Sequence, residues 1–441
     1  MADDGRFKSD YSDSVVQCFL HFVRKFHSAT LPDEIFYERI AVLSPLRRLI
    51  LGIAISAVGN GLVLPFMMVY LHTIRGYSIS TAGFFMAFMG LSSILTSPFM
   101  GSAIDRVGAR PVMLLGMLGS ALGYGALTYA VEPPLILLCL FVAASSGSAL
   151  WPAQNAMLAF ISQDRERTFG MQFAFLNLGI GIGGIIAALT IGTPTENSFH
   201  LLYVGDALTF LLNLVIAWNI RVPKNPDGSE KHSTKSEGSW KDVLTDRVAL
   251  RVWVFALIAV LFGYSQLEAG FTSFSAFVAK VPTRDLALAY TGNTLLIAIF
   301  QMKFVSWVRP MKRSHALALA TSLWAVSWII TGSAKFWPSI WILIFAQMIF
   351  AIGEMVWSPI QPTLINSLAP DHLRGRYNSF FGATWQTGLI LGPVIAGSLL
   401  GHGTGTSWIL VVTGGSMFAT LLALMLVRVL PPKINSGTIA E

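Results

Sequence analysis

The sequence predicts an all-α membrane protein: twelve transmembrane helices in two pseudo-symmetric six-helix bundles. Composition, recurrent apolar runs and an internal repeat carry that expectation. Of 441 residues, 54% are hydrophobic and 12% charged, and mean hydropathy is +0.63. Soluble domains carry roughly a quarter charged residues. Apolar runs near the ~20 residues that cross a bilayer recur along the chain. Twelve are read, starting near Leu49, Ile79, Pro111, Leu135, Phe169, Leu201, Val252, Leu286, Ala316, Pro338, Ser379 and Trp408. The repeat lies across the middle of the chain. Pro152-x-Gln154 and Asp164-x-x-Arg167 recur as Pro359-x-Gln361 and Asp371-x-x-Arg374, each 207 residues further on.

In chain order, residues 1–46 are a cytoplasmic arm. Val15, Val16, Phe19, Phe22, Val23 and Phe26 fall at helical spacing there beside Arg24 and Lys25. An amphipathic helix on the membrane surface and a loose arm both fit that pattern. The first spans occupy 47–220 and the second set 252–430, with a short tail over 431–441. Between the halves, 221–251 breaks the apolar pattern with Pro223, Pro226, Gly228 and seven basic residues. It reads as a cytoplasmic linker in which 239–251 suits an interfacial helix. Gly179-x-x-x-Gly183-Gly184 in span five has a counterpart in Gly388-x-x-x-Gly392-Pro393 in span eleven. That spacing of small residues lets helices approach closely. No cleavable signal is evident, and Cys18 and Cys139 sit too far apart in this scheme to pair.

Basic residues set the expected orientation. With the N-terminus inside, the inner arm and loops hold twenty-five of the thirty Lys and Arg. The outer loops hold Arg75, Lys280, Arg284 and Lys335, and Lys303 lies near the inner end of span eight. Both termini are therefore expected in the cytoplasm, with the protein in the cell membrane. The net charge of +7 is a topology signal facing anionic headgroups of the lipid bilayer, and nothing points to nucleic acid.

The turn between spans two and three reads Gly101-Ser-Ala-Ile-Asp105-Arg106-Val-Gly108-Ala-Arg110. Charges beside lipid persist where they pair or cap helix ends, and Gly108 suits a backbone with positive φ. The spacing resembles the signature G-x-x-x-D-R-x-G-R-[RK] of the major facilitator superfamily, with Ala109 as a small departure. That resemblance covers Leu49 to Leu430 and implies secondary transport by alternating access, with spans one, four, seven and ten as the expected walls of the cavity. It also implies that Gly101, Asp105, Arg106, Gly108 and Arg110 form a conformational gate. Asp105 and the adjoining arginines are expected to hold the inner ends of spans two and eleven together.

No phosphate-binding loop, metal-ligand cluster or catalytic constellation appears, so neither an enzyme nor a cofactor is expected. An ion or solute gradient is the remaining energy source. Intramembrane carboxylates are natural proton carriers. Three qualify: Glu268 in span seven, Glu354 in span ten, and Asp206, which is placed near the outer end of span six as a cap or interfacial acid. Candidate cavity residues are Asn60, Trp151, Gln154, Asn155, Tyr264, Gln266, Trp357 and Gln361. Amides and aromatics with an acid suit an amphipathic or cationic small molecule, although amides also glue helices together in lipid. Gly263-Tyr264-x-Gln266-x-Glu268, with Asn293 and Gln301 in span eight, looks like the bacterial multidrug-efflux members. That resemblance implies proton-coupled export of amphipathic small molecules by a monomer. The alternatives are a narrow-substrate metabolite importer or exporter and a non-transporting sensor or scaffold.

Overall fold

The computed structural model describes residues 44–191, 195–220, 239–401 and 405–437. The patterned arm before residue 44 and linker residues 221–238 lie outside the described residues. Twelve long helices dominate: α1 (Pro45–Val63), α2 (Ile79–Val107), α3 (Ala109–Leu127), α4 (Pro133–Ile161), α5 (Arg165–Ile191) and α6 (Glu196–Ala217). They continue with α7 (Arg247–Ala259), α8 (Thr283–Val308), α9 (Arg313–Ser333), α10 (Ile340–Leu368), α11 (Arg374–Gly401) and α12 (Thr406–Met425). Eleven of the spans are long and apolar enough to cross a membrane. The remaining one, α3, has the length, but Arg110, Pro111 and its glycines dilute its hydropathy.

Several helices begin before the apolar runs do, because polar caps start them. Ser44 accepts the Arg47 N–H and Ser78 accepts that of Thr81. Thr195 and Ser198 form a capping box that starts α6 at Glu196, ahead of the Leu201 expected from hydropathy. Asp246 accepts the N–H groups of Val248 and Ala249, so α7 starts within the stretch read as linker. Just before it, Ser239 and Asp242 cap the short helix Trp240–Thr245.

Two hydrophobic cores form, one from Leu49 to Ile220 and one from Val243 to Leu430. A small third cluster, Ile297, Ala351 and Met355, packs against Phe173 of α5 and so bridges the halves. Glycines set the tightest crossings. A Cβ on Gly179 would meet the Ala54 carbonyl, and one on Gly183 the Val58 carbonyl, so α5 rides on the backbone of α1. In the second half, Gly388 and Gly392 give α11 the same close approach to Val260 and Ser265 beyond α7. The repeated glycine motif thus performs one packing task twice.

The helices α1 and α7 also share an irregular continuation. After α1 come a 3-10 turn at Leu64–Phe66, holding Pro65, and a π turn at Tyr70–Ile74. After α7 come π turns at Val260–Tyr264, Leu267–Phe271 and Phe274–Val278. Such turns leave backbone groups free to rearrange and mark mobile or ligand-binding stretches of a helix. The halves meet through α2 with α11, α5 with α8 and α10, and α4 with α11.

Candidate functional site

Polar bonds between the halves gather at one end, where α2 finishes and α11 begins. Gly108, with φ +102°, ends α2 and starts α3 in a turn that a Cβ would strain. This puts Asp105, one helical turn back, on the N-terminus of α11. Its carboxylate accepts the N–H of Gly375 at 2.6 Å and of Arg376 at 3.1 Å. The Arg376 guanidinium adds an ion pair at 3.1 Å, both side chains being 2% exposed. A carboxylate at a helix N-terminus meets both orphan donors and the positive end of the dipole. Gly101 completes the contact, since a Cβ there would meet Ser379 and Arg376. Across the same end, Asp164 pairs with Arg309 at 3.2 Å and Glu166 with Arg313 at 3.2 Å. Arg165 donates to the Asn366 carbonyl at 3.3 Å.

A second constellation lies inside the second half. Glu354 of α10 is buried, and its Oε2 accepts from Asn293 Nδ2 of α8 at 2.6 Å. Tyr264 stands beside this carboxyl. Around Tyr264 the rings of Trp385, Trp324 and Phe350 stand 4.6, 5.4 and 6.0 Å away. Trp385 is 40% exposed, so the aromatic group leads from an accessible indole to a buried acid. Gln347, two turns nearer the start of α10, is fully buried, and neither of its amide atoms has a hydrogen-bond partner among the described residues. One buried carboxyl with an amide donor in largely apolar, aromatic surroundings can hold and release a proton or meet a cation at the rings.

The Major Facilitator Superfamily profile matches residues 49–309 and 281–440, nearly everything described above. The chain belongs to the major facilitator superfamily. It is a multi-pass transporter and not an enzyme. Among curated relatives, it is 25% identical to the quinolone resistance protein NorA of Staphylococcus aureus strain N315 over 354 residues, covering 77% of this chain and 86% of that one. It is 23% identical to the uncharacterized MFS-type transporter YttB of Bacillus subtilis strain 168 over 371 residues, 81% and 88% of the two chains. Of solved structures, a bacterial homologue of the iron transporter ferroportin in its outward-facing state matches with TM-score 0.70 at 15% identity, covering 88% of this chain and 100% of that chain. The E. coli fucose:proton symporter matches with TM-score 0.70 at 17% identity, covering 87% and 98%.

The fold distributes the sequence-predicted residues unevenly within this superfamily frame. Of the turn residues, Asp105 and Gly101 reach α11, whereas the arginines do not join them. Arg106 is exposed, and Arg110 donates to the Trp218 carbonyl at the end of α6, within its own half. Asp206 is neither a cap nor interfacial. Because α6 starts at Glu196, the acid falls mid-helix, 1% exposed, against Gly59 of α1, and neither carboxylate oxygen has a hydrogen-bond partner among the described residues. The Glu268 side chain lies outside the described residues.

Among the expected cavity residues, several instead bind helices together. Gln266 is fully buried; its Nε2 donates to the Leu261 and Gly392 carbonyls and its Oε1 accepts from Trp408. Asn155 accepts from Gln172 of α5 at 3.2 Å, and Gln154 is buried beside it. Trp357 is 6% exposed and packs on Trp324 and Phe255. Amides in lipid find partners first, and large rings fill gaps. Trp151 is 39% exposed, while Asn60, Tyr264 and Gln361 are half-buried. Arg376, Trp385 and Gln347 went unread in the sequence. Only Arg376 had a local signal, as a second base after the repeated Asp371-x-x-Arg374.

Proposed function

We propose that the protein is a proton-coupled exporter of amphipathic, cationic small molecules in the cell membrane, working as a monomer. The observation that carries this reading is the buried Glu354 carboxyl, held by Asn293 and approached through the Tyr264–Trp385 ring pair. A proton and a cationic substrate competing for one buried carboxylate gives exchange coupling: each can bind only after the other has left. Aromatic faces supply affinity without demanding one substrate shape. The quinolone resistance proteins among the relatives support efflux of drug-like compounds. Glu268 and Asp206 are the other acids able to take the proton.

The Asp105 contact with α11 is the gate in this reading. The excess of basic residues at its end supports a cytoplasmic location for that end, with both termini inside. The bonds gathered there then describe a state closed to the cytoplasm, open or occluded toward the outside. Asp105 makes its three bonds only while the halves stay closed at this end, so they favour that state alone. The test is accumulation of a fluorescent lipophilic cation in an efflux-deficient bacterial host. Wild type is expected to lower accumulation, and both a protonophore and Glu354→Gln are expected to restore it. Unchanged accumulation with wild-type protein verified in the membrane would overturn efflux of this substrate class.

A further inference from the structure

The chain segment after α12 does not simply trail away. It turns back as the short helix Pro432–Asn435 and packs under the turn between α8 and α9. There it completes two unfinished structures. The first is α9 itself, whose N-cap residue, Lys312, gives no side-chain cap. The missing acceptor comes from Asn435, whose Oδ1 takes the Ser314 N–H at 2.9 Å. The second is Arg313. Its Nε donates to Glu166 of α5 at 3.2 Å, while its Nη1 is held by the Ile434 carbonyl at 2.8 Å and Ser367 Oγ at 3.2 Å. Arg313, Glu166 and Asn435 are all buried. Gly437 follows so closely that a Cβ there would strike the Arg309 and Met311 carbonyls.

The internal repeat gives this arrangement a counterpart. By the offset of 207, α5 corresponds to α11 and the α8–α9 turn to the α2–α3 turn. On one side of the molecule the turn supplies the acid, Asp105, and the helix start supplies the base, Arg376. On the other side the turn supplies the base, Arg313, and the helix start supplies the acid, Glu166. The geometry repeats with the charges exchanged. Only the second contact needs an outside brace. Asp105 is fixed by backbone N–H groups of α11, whereas a long arginine at an uncapped helix start has free rotamers to lose.

We propose that the 432–435 segment is a strut for the Glu166–Arg313 latch between the halves, with Asn435 as the positioning residue. The tail thereby sets how readily the halves part at this end. This rests on the reading that the halves rock during transport. The strut acts on Arg313 by fixing the first turn of α9, so weakening it shifts the conformational equilibrium without removing either charge.

The test uses full-length protein carrying Cys18→Ser, Cys139→Ser and Ser97→Cys. Position 97 is buried at the α2–α11 contact, where Ser97 Oγ reaches the Ser379 carbonyl. Alkylation there by N-ethylmaleimide reports opening of this end and needs no substrate. Arg313→Glu is expected to raise the rate roughly 100-fold, the scale of a broken buried pair. Glu166→Arg combined with Arg313→Glu is expected to return it most of the way. Asn435→Ala should raise the rate about fivefold, the scale of one lost hydrogen bond, and Asn435→Asp, which keeps the acceptor, should restore it. A double exchange that fails to restore the rate overturns the latch. An unchanged rate in Asn435→Ala overturns the strut. Asp105→Asn in the same background separates these from failure of the rocking reading, in which case it too would leave the rate unmoved.

Discussion

Asp105→Asn is the perturbation whose consequence the structure fixes most closely. The carboxylate accepts from two backbone N–H groups and pairs with a guanidinium, all on α11. Asparagine keeps the size but has one acceptor oxygen, so the amide nitrogen faces a donor. Arg376, 2% exposed at its side chain, loses the Asp105 carboxylate. Removing one partner from a buried pair costs about 3–5 kcal/mol. In the proposed cycle these contacts are made only with the end closed, so the cost falls on that state alone. At 1.4 kcal/mol per decade, the lower figure shifts the open-to-closed ratio roughly 100-fold. With the reporter Ser97→Cys, the alkylation rate should rise by that factor while thermal stability of the separate halves' cores is preserved. Net transport should fall, because the closed state is half of the cycle. A rate within about twofold of wild type would refute the reasoning, since it would mean that the contact does not favour one state over the other.

Further outcomes follow from other contacts. Arg110→Ala should leave the alkylation rate unchanged, because its partner is the Trp218 carbonyl in the same half, and the same reporter checks this. Gly183→Leu should lower the melting temperature measured in detergent. It forces a side chain onto the Val58 carbonyl, and overpacking of this kind costs about 1–3 kcal/mol or more. Trp385→Ala should weaken binding of a lipophilic cation, read by fluorescence titration, about threefold to tenfold, the scale of one cation–π contact. Trp357→Phe, inside the packed ring cluster, should leave that titration unchanged.

The helices were legible because lipid imposes a simple requirement. Every backbone group must be paired within its own segment, so long apolar runs become helices. Some starts moved upstream to a polar cap, as Thr195 and Asp246 show. Asp206 is the costliest such displacement: five residues of polar helix before Leu201 turned an expected interfacial acid into a buried one with no hydrogen-bond partner among the described residues. Asp105 was readable as a charge that must find a partner, and the family resemblance pointed to span eleven, but Arg376 as that partner was not readable. Nothing local says that a turn near residue 105 meets a helix start near residue 376, because the pairing arises from how two bundles face each other. The amides failed for the same reason. Gln266 and Asn155 carry no mark in sequence that separates a cavity wall from a helix contact; their partners, Trp408 and Gln172, decide it. Glu354 and Asn293 were both noticed on separate helices, and only the fold brings them to 2.6 Å.

The most direct test of proton-coupled export is flux in proteoliposomes with an imposed pH gradient. With the lumen more acidic than the bath, purified wild-type protein is expected to accumulate a fluorescent lipophilic cation inside, and collapse of the gradient should release it. Glu354→Gln, reconstituted to the same density, should show no gradient-driven accumulation. Accumulation that ignores the gradient, or that proceeds equally in Glu354→Gln, would contradict the assignment of the coupling proton to Glu354.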